Sequence, residues 1–414
     1  MNPQLIQEDA TWLQPTQAAF GAPASAAVTI EVADAARFTG LRQAWTDLTA
    51  RAAEPNPFLD PAFVAAAAGA ADASRTPIVL AWQGQRLAGV WVLAQGRPRS
   101  GLPLGILSAP THETAADSTP VIDRELTEPV LAAMVAAIEA SPVLPKLVSL
   151  RFFNAGGPVM DALTRVLAAR RSPSVVLAQA VRPWLTCNLD AKAYFAQAMS
   201  GSRRRKLGQL RRRLAGRGTL ELSVHRGSEA VAGALDRCRA LEAAGWKGTI
   251  GHSLQRTALG FTQAAVPALA KHDCAEIWEL SLDRQAVSMA IILRQGGGAF
   301  DWKIAYDERY ADCSPGVLLA QDYTTEFLDN PAIAFADSCA ADDTGLLGPL
   351  WTERHPMADL ILDVRAGGSP AFTIWSALER CYRAARSSAK GPAEFVRGRL
   401  RHLSRQRARA AEAE

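Results

Sequence analysis

Two stretches of this chain share a strand–turn–strand pattern that limits which folds the chain can adopt. Residues 80–96 read LAWQGQRLAGVWVLAQG, and residues 278–296 read WELSLDRQAVSMAIILRQG. In each, an apolar run, a short polar turn and a longer apolar run follow one another, which is typical of an antiparallel hairpin. Either two ordinary hairpins look alike, or the chain contains a tandem duplication.

The segments around the second hairpin favour a duplicated α/β plan. FDWKIAYD, PGVLLAQDYTTEFLD and AIAFADSC predict a strand, a helix and a second, parallel strand joined by a right-handed crossover. We therefore predict an α/β fold with mixed sheets, built from two tandem units. The predicted divisions are a leader (1–26), a first unit (27–188), a second unit (189–365) and a terminal helix with a basic tail (366–414).

Composition narrows the class of protein. With 414 residues, 49% hydrophobic and 21% charged, the chain is predicted to be globular with more than one domain. Six scattered cysteines form no CxxC pair, so we expect no metal site and a reducing, cytoplasmic location. The N-terminus lacks the basic and apolar regions of a signal peptide, and FVAAAAGAA is too short to span a bilayer.

The helix start at Ser314-Pro315-Gly316 is the first candidate for chemistry. Pro315 suits the first helical position and pushes Ser314 toward the extended geometry of an N-cap. The amides of Gly316, Val317 and Leu318, at the positive end of a helix dipole, could bind a phosphate. The alternative is a well-capped helix that binds no ligand.

A basic helix is the second candidate. In GSRRRKLGQLRRRLAGRG, Leu207, Leu210 and Leu214 predict one buried stripe, while arginines such as Arg204 crowd the other faces. No acidic residue neutralises the run, so it either remains a solvated face or contacts phosphates. A loop with Trp246 and Lys247 could likewise form a stacking and charge-binding edge, or could be a helix C-cap.

Ionisable residues accompany the strand before Ser314. Strand alternation predicts that Asp301, Lys303 and Ala305 face one way and Trp302, Ile304 and Tyr306 the other. Asp337, late in the next strand, is expected near Lys303 and the helix start. A carboxylate and a lysine beside a phosphate site suit acid–base chemistry, although a structural salt bridge would have the same appearance.

The second half of the chain resembles a known family. The pieces RRRKLGQLRRRLAGRG, LEAAGWKG, DRQAVSMAIIL, DWKIAYDERYADCSPGVLLAQDY and AFADSCA occur in the order found in BioF2-like acetyltransferases of the GNAT superfamily. This group includes CelD-like proteins of cellulose biosynthesis and is related to the FemABX aminoacyltransferases. The resemblance spans roughly residues 189–364.

The resemblance implies an N-acyltransferase of the GNAT type. It implies an acyl donor, acetyl-CoA or another acyl-CoA, at Ser314, Gly316, Val317 and Leu318, and an amine acceptor on a small molecule or glycan precursor. Asp337 would position or deprotonate the amine, and Tyr306 would protonate the leaving thiolate. Lys303 would bind a substrate anion or keep Asp337 charged. Trp246, Lys247 and Arg204 are expected to contact substrate.

One departure from the family pattern leaves the identity of the acyl donor undecided. The usual Q/R-x-x-G-x-G/A loop is reduced here to ADCSPGV, so aminoacyl-tRNA, used by the Fem enzymes, is an alternative to acyl-CoA. A third reading is a non-catalytic scaffold of polysaccharide synthesis. The acceptor and the oligomeric state are not predicted.

Overall fold

The computed structural model describes residues 27–34, 37–70, 76–98, 101–245 and 258–385. The helices in these ranges are α1 (Phe38–Ala50), α2 (Pro61–Ala70), α3 (Thr127–Ala140), α4 (Pro158–Arg170), α5 (Ala191–Ala198), α6 (Gly201–Ala215), α7 (Ser228–Ala244), α8 (Leu259–Ala270), α9 (Pro315–Asp329) and α10 (370–385). Short 3-10 helices occupy Pro57–Leu59 and Glu308–Cys313.

The strands alternate with these helices in both halves. They are β1 (Val28–Ala33), β2 (Ile78–Gln83), β3 (Arg86–Val92), β4 (Ala94–Gly96), β5 (Ile106–Ala109), β6 (Val121–Ile122), β7 (Leu147–Asn154), β8 (Ser174–Thr186), β9 (Leu220–His225), β10 (Ala275–Leu282), β11 (Gln285–Gln295), β12 (Gly298–Tyr306), β13 (Phe335–Asp337) and β14 (Glu353–Asp363).

The element order repeats, as the tandem reading predicts. The first unit runs β1, α1, α2, the hairpin β2–β3, β4, β5, β6, α3 and β7. The second runs β9, α7, α8, the hairpin β10–β11, β12, α9 and β13, so the first unit differs by the additional short strands β4 and β5. Both predicted hairpins pair in antiparallel register through two-residue turns. The fold is therefore α/β with mixed sheets and two units of one plan.

The two units share a sheet. One sheet has four strands in the order β1-β2-β3-β6, and the other has ten in the order β4-β5-β7-β14-β8-β13-β12-β11-β10-β9. Strand β14, which the sequence assigns to the second unit, pairs with β7 and β8 of the first, and β8 also pairs with β13. The division near residue 188 remains a prediction, because no break in the ten-stranded sheet matches it.

Side chains from both units also meet in one hydrophobic cluster. Phe63 of α2 packs against Phe261 of α8 with ring centroids 4.9 Å apart, and against Trp302 of β12 at 5.9 Å. All three rings are at least 95% buried, and together they bring the first unit against one face of β12. The opposite face of β12 packs on α9.

Candidate functional site

The sheet opens between β12 and β13. These parallel strands pair at three positions only, Gly298 with Phe335, Ala299 with Ala336 and Phe300 with Asp337. Strand β12 then continues to Tyr306, whereas β13 ends at Asp337, so the predicted strand AIAFADSC is shorter than expected. The opening lies at the carboxyl end of a parallel strand pair, where α/β folds bind ligands.

A β-bulge at Trp302 changes which side chains face the opening. In the ladder with β11, Asp301 opposes Ile292 and Lys303 opposes Ile291, so Trp302 is an extra residue. The bulge shifts the alternation by one position, because two residues occupy one step of the ladder. The prediction that Asp301 and Lys303 share a face is therefore wrong.

Contacts on each face support this assignment. Asp301 Oδ2 accepts a hydrogen bond from Tyr323 Oη of α9 at 3.0 Å, and the side chains of Ile304 and Tyr306 lie beside Gly316 at the start of α9. The charge of Lys303 instead acts on His112, whose ring stacks on Phe261 of α8. Tyr306 thus lies at the helix start, as the acid role requires, and Lys303 belongs to the face of α8.

The start of α9 differs from its predicted geometry. Ser314 has φ 50° and ψ 55°, a left-handed conformation, and its side chain caps no amide, so the extended N-cap was wrong. The cause is the 3-10 helix Glu308–Cys313, which runs directly into α9 and ends through a left-handed residue, as helices often do. The amides of Val317 and Leu318 donate to the Ser314 carbonyl at 3.0 and 3.2 Å, so the prediction that these two amides are free to bind a phosphate is wrong.

Charge at this helix start nevertheless suits an anion. The first turn of α9 has no acidic residue. The acidic residues just before it are paired: Asp312 with Arg217, at 3.1 and 2.5 Å, and Asp307 with Arg309. The Arg217 guanidinium lowers the pKa of the Asp312 carboxyl, so this carboxylate stays charged and paired with arginine.

A cavity of about 230 Å³ occupies the opening. Its walls are β12, the segment that follows β13, and a loop that ends in Leu346 and Leu347. A Cβ on Gly316 would lie 3.1 Å from Leu346 Cδ1, so a larger residue in place of glycine would crowd this contact. Leu346, which lines the cavity, therefore also packs against the start of α9.

Asp337 lies at the inner end of the opening and is held by two donors. Arg182 of β8 donates to Asp337 Oδ2, and the Cys339 amide donates to Oδ1 at 2.8 Å. Arg182 and Asp337 are both 2% exposed, and Arg182 also donates to the Ala116 carbonyl of the first unit at 2.7 Å. Asp337 is thus part of a buried ion pair that joins the two units.

The other predicted contact residues fall in two groups. Arg204 donates to the carbonyls of Phe195 and Ala196 at 3.0 and 3.1 Å, and also to that of Met199, so its guanidinium caps the end of α5. Trp246 and Lys247 lie outside the described residues.

The basic helix α6 itself formed as predicted. Leu207 and Leu214 are buried, and Leu210 is half-buried against the same cluster.

Sequence reasoning missed Arg182, His112 and Leu346. Arg182 sits in an alternating strand beside Pro183, where a charge among apolar residues was the available signal. Nothing in the sequence indicated that a loop of the first unit, which includes His112, reaches the second unit's sheet. Burial lowers the pKa of His112, so its imidazole is neutral at neutral pH.

The comparisons with known proteins concern the fold and one part of the chain. Residues 201–327 match the family model described as "Acetyltransferase (GNAT) domain". Among solved structures, the chain is similar to FemX, with a TM-score of 0.55 and 10% identity over 78% of this chain and 95% of that chain. None of the curated proteins is significantly similar in sequence.

A second solved structure has the same fold. It is the C-terminal domain (DUF2156) of a putative lysylphosphatidylglycerol synthetase from Agrobacterium fabrum, with a TM-score of 0.51 and 12% identity over 83% of this chain and 95% of that chain. The match to the GNAT family model is confined to residues 201–327, which is less than half of the chain. The chain around these residues has a GNAT/FemABX-like fold.

The described residues contain neither a candidate membrane-spanning helix nor a candidate metal-binding group. In the ranges that the structure covers, no helix combines the length and the apolar composition needed to cross a membrane. The same residues contain no group of three or more histidine, cysteine or carboxylate side chains that could hold a metal ion.

Proposed function

We propose that this protein is an N-acyltransferase that moves an acyl group from acyl-CoA to an amine on a small molecule or glycan precursor. The observation that carries the proposal is the end of β12–β13 pairing after three residue pairs, beside a cavity of about 230 Å³. An acyl-pantetheine chain is narrow and extended, which suits a slot between diverging strands. The start of α9, free of acidic residues in its first turn, would then hold the pyrophosphate.

In this proposal the transfer is direct. The neutral amine nitrogen attacks the thioester carbonyl carbon, an N–C bond forms, the C–S bond breaks, and the thiolate leaves. The amine loses one proton and the thiolate gains one, so the step needs no oxidant and no covalent enzyme intermediate. Polarisation of the carbonyl by a backbone amide of β12 would stabilise the transition state.

Tyr306 suits protonation of the thiolate, because its ring lies beside Gly316, where the donor would enter. The contacts of Asp337 favour a positioning role over a general-base role. Both of its carboxylate oxygens already accept hydrogen bonds, one of them from a buried guanidinium. Lys303, on the α8 face, would meet an anionic group of the acceptor.

Calorimetric titration with coenzyme A, followed by mass spectrometry after incubation with acetyl-CoA and a panel of amines, tests the proposal. We expect heat of binding and an amine product heavier by one acetyl group. Binding of coenzyme A without transfer to any amine would contradict transfer to the amines tested, whereas no heat of binding would favour the non-catalytic scaffold. The absence of both binding and transfer would overturn the assignment of the opening as a donor site.

The exposed face of α6 supports aminoacyl-tRNA as an alternative donor. Arg203, Arg205, Lys206, Arg212 and Arg213 are exposed on this helix, and in the described residues the structure gives an ion pair to only one of them, Arg213. An RNA contact there predicts a steep loss of affinity with salt. Binding of charged tRNA that is insensitive to salt, or activity that survives ribonuclease, would exclude this donor.

We also propose a cytoplasmic location. All six cysteines are free thiols, which fits a reducing compartment. Acyl-CoA is a cytoplasmic metabolite, so the proposed donor leads to the same compartment. Secretion of the protein, shown by fractionation of the native host, would contradict this.

A further inference from the structure

A second cavity, of about 270 Å³, lies in the first unit, away from the β12 opening. It is enclosed by α10 and by the carboxyl ends of the parallel strands β5 and β7. Beside it, Ile106, Leu147, Ile361, Phe372 and Trp375 form one apolar cluster. None of the residues assigned above to donor or acceptor chemistry lines it.

Two polar groups of α10 that line this cavity are buried without hydrogen-bond partners. They are Trp375 Nε1 and Glu379 Oε2, and the two residues are 1% and 6% exposed. Arg383 Nε lies 3.6 Å from Glu379 Oε1, which is too long for a hydrogen bond. Arg383 therefore pairs with Oε1 by charge alone, and Oε2 has no hydrogen-bond donor among the described residues. An unsatisfied buried carboxylate oxygen is costly, so a donor from a ligand or from water would stabilise it.

The edge of the cavity carries arginines together with the exposed carboxylate of Glu113, and Arg151 Nε lies 3.9 Å from Asp359 Oδ2. Arg97 is exposed there, and Arg151 lies on the wall with its guanidinium carbon 4.8 Å from the centre of the Phe152 ring. Phe152 has φ 54°, a conformation that is rare outside glycine and that persists where the surroundings enforce it. The site thus combines a buried hydrogen-bond acceptor without a donor, Glu379 Oε2, with arginines at its edge that would attract an anion.

From these features we propose that the cavity binds a small zwitterion of the α-amino acid class. The ammonium group donates to Glu379 Oε2, and the carboxylate accepts from Trp375 Nε1 and faces Arg97 and Arg151. The inference is independent of the proposed acyl transfer. The site is nevertheless linked to β12, because Trp302 Nε1 donates to the carbonyl of Thr114, in a segment that lines the cavity, at 2.8 Å.

The test uses the full chain and calorimetric titration with each proteinogenic amino acid, together with propionate and ethylamine. These two molecules carry the carboxylate and the amine of alanine separately. We expect at least one amino acid to bind, and each half-molecule to bind at least tenfold more weakly. Equal binding of a half-molecule, or no binding of any amino acid, overturns the proposal.

Variants locate the site. Glu379→Gln removes the carboxylate charge and should weaken amino-acid binding about tenfold to a hundredfold, the usual range for a charge-assisted hydrogen bond. Trp375→Phe keeps an aromatic ring but removes the Nε1 donor, and it should weaken amino-acid binding severalfold. This variant tests the site if Glu379→Gln does not fold. Glu326→Gln, in a different cavity near β11, is the control and should bind normally. Unchanged binding in both α10 variants contradicts the assignment.

Discussion

The two units have one element order but treat the strand after the hairpin differently. In the second unit β12 is nine residues long, and it parts from β13 after three pairs. In the first unit the corresponding strand β6 has two residues, while β7 is paired on both edges, with β5 and β14. Strand β13 is likewise paired on both edges, with β12 and β8, so the difference lies in the strand before the helix. Strand β12 is long and parts from β13, whereas the first unit has only the short strands β5 and β6 in its place.

The helices that follow these strands differ in charge as well. Helix α3 of the first unit has Glu128 in its first turn, whereas α9 has no acidic residue there. The carboxyl group of Glu54 accepts from the Val159 amide at the start of α4 at 2.8 Å and so occupies that helix terminus. The two units thus share an element order but differ in the charge at these helix starts.

The largest expected effect tests the ion pair that joins the units. Arg182→Leu leaves Asp337 buried without its partner and should lower the free energy of unfolding by about 3–5 kcal/mol. Urea denaturation measures this. Arg165→Leu, in an exposed pair with Glu128, is the control and should cost under about 1 kcal/mol. Equal losses in both variants would show that the buried pair does not hold the units together.

The next effect concerns the carboxylate of the first unit. Burial raises the pKa of Glu54 to about 7. Because the folded pKa lies above the unfolded value, the stability that Glu54 contributes is present below about pH 4.5 and is lost as the pH rises to about 7. The shift corresponds to about 3 kcal/mol at 1.36 kcal/mol per pKa unit.

Glu54→Gln cannot titrate, so its free energy of unfolding should change less than that of the natural protein between pH 5 and pH 8. Urea denaturation at the two pH values compares them. Glu128→Gln, exposed on α3, is the control and should keep the natural pH dependence. An unchanged slope in Glu54→Gln would assign the pH dependence to another group.

A third prediction concerns chemistry at the opening. If Tyr306 protonates the thiolate, Tyr306→Phe should lower kcat about a hundredfold with little change in the KM for acyl-CoA, the usual effect of losing a general acid. Steady-state kinetics across pH distinguishes this from misfolding, because the alkaline limb should also change. Tyr310→Phe, on the nearby 3-10 helix, should leave kcat within about twofold. Equal rates for the two variants would remove Tyr306 from the mechanism.

The smallest expected effect compares the starts of helices α9 and α3. Ser314→Asp adds a negative charge in a left-handed conformation that aspartate tolerates, and should weaken coenzyme A binding about tenfold. Ser314→Asn suits the same backbone without charge and should bind almost normally. Thr127→Asp places the same charge on α3 of the first unit and should have no effect. Calorimetry that finds Ser314→Asp and Thr127→Asp alike would contradict a donor site at α9.

Local patterns predicted the elements well because their signals are contained in short windows. The two hairpins, the buried stripe of α6 and the start of α9 at Pro315 follow from apolar spacing and proline chemistry. The faces of β12 could not be predicted, since the bulge at Trp302 depends on the register with β11. The prediction of an extended Ser314 was wrong for a similar reason, because the preceding 3-10 helix determines the conformation of this residue.

The sequence by itself determined the α/β class, the repeated order of elements and the place where a strand meets an uncharged helix start. These depend on periodicity and on residues close in the chain. Only the tertiary structure decided that β14 pairs inside the first unit, that Arg182 reaches Asp337, and that β12 and β13 part. Each of these joins residues more than about thirty positions apart, and their pairing follows from how whole strands pack.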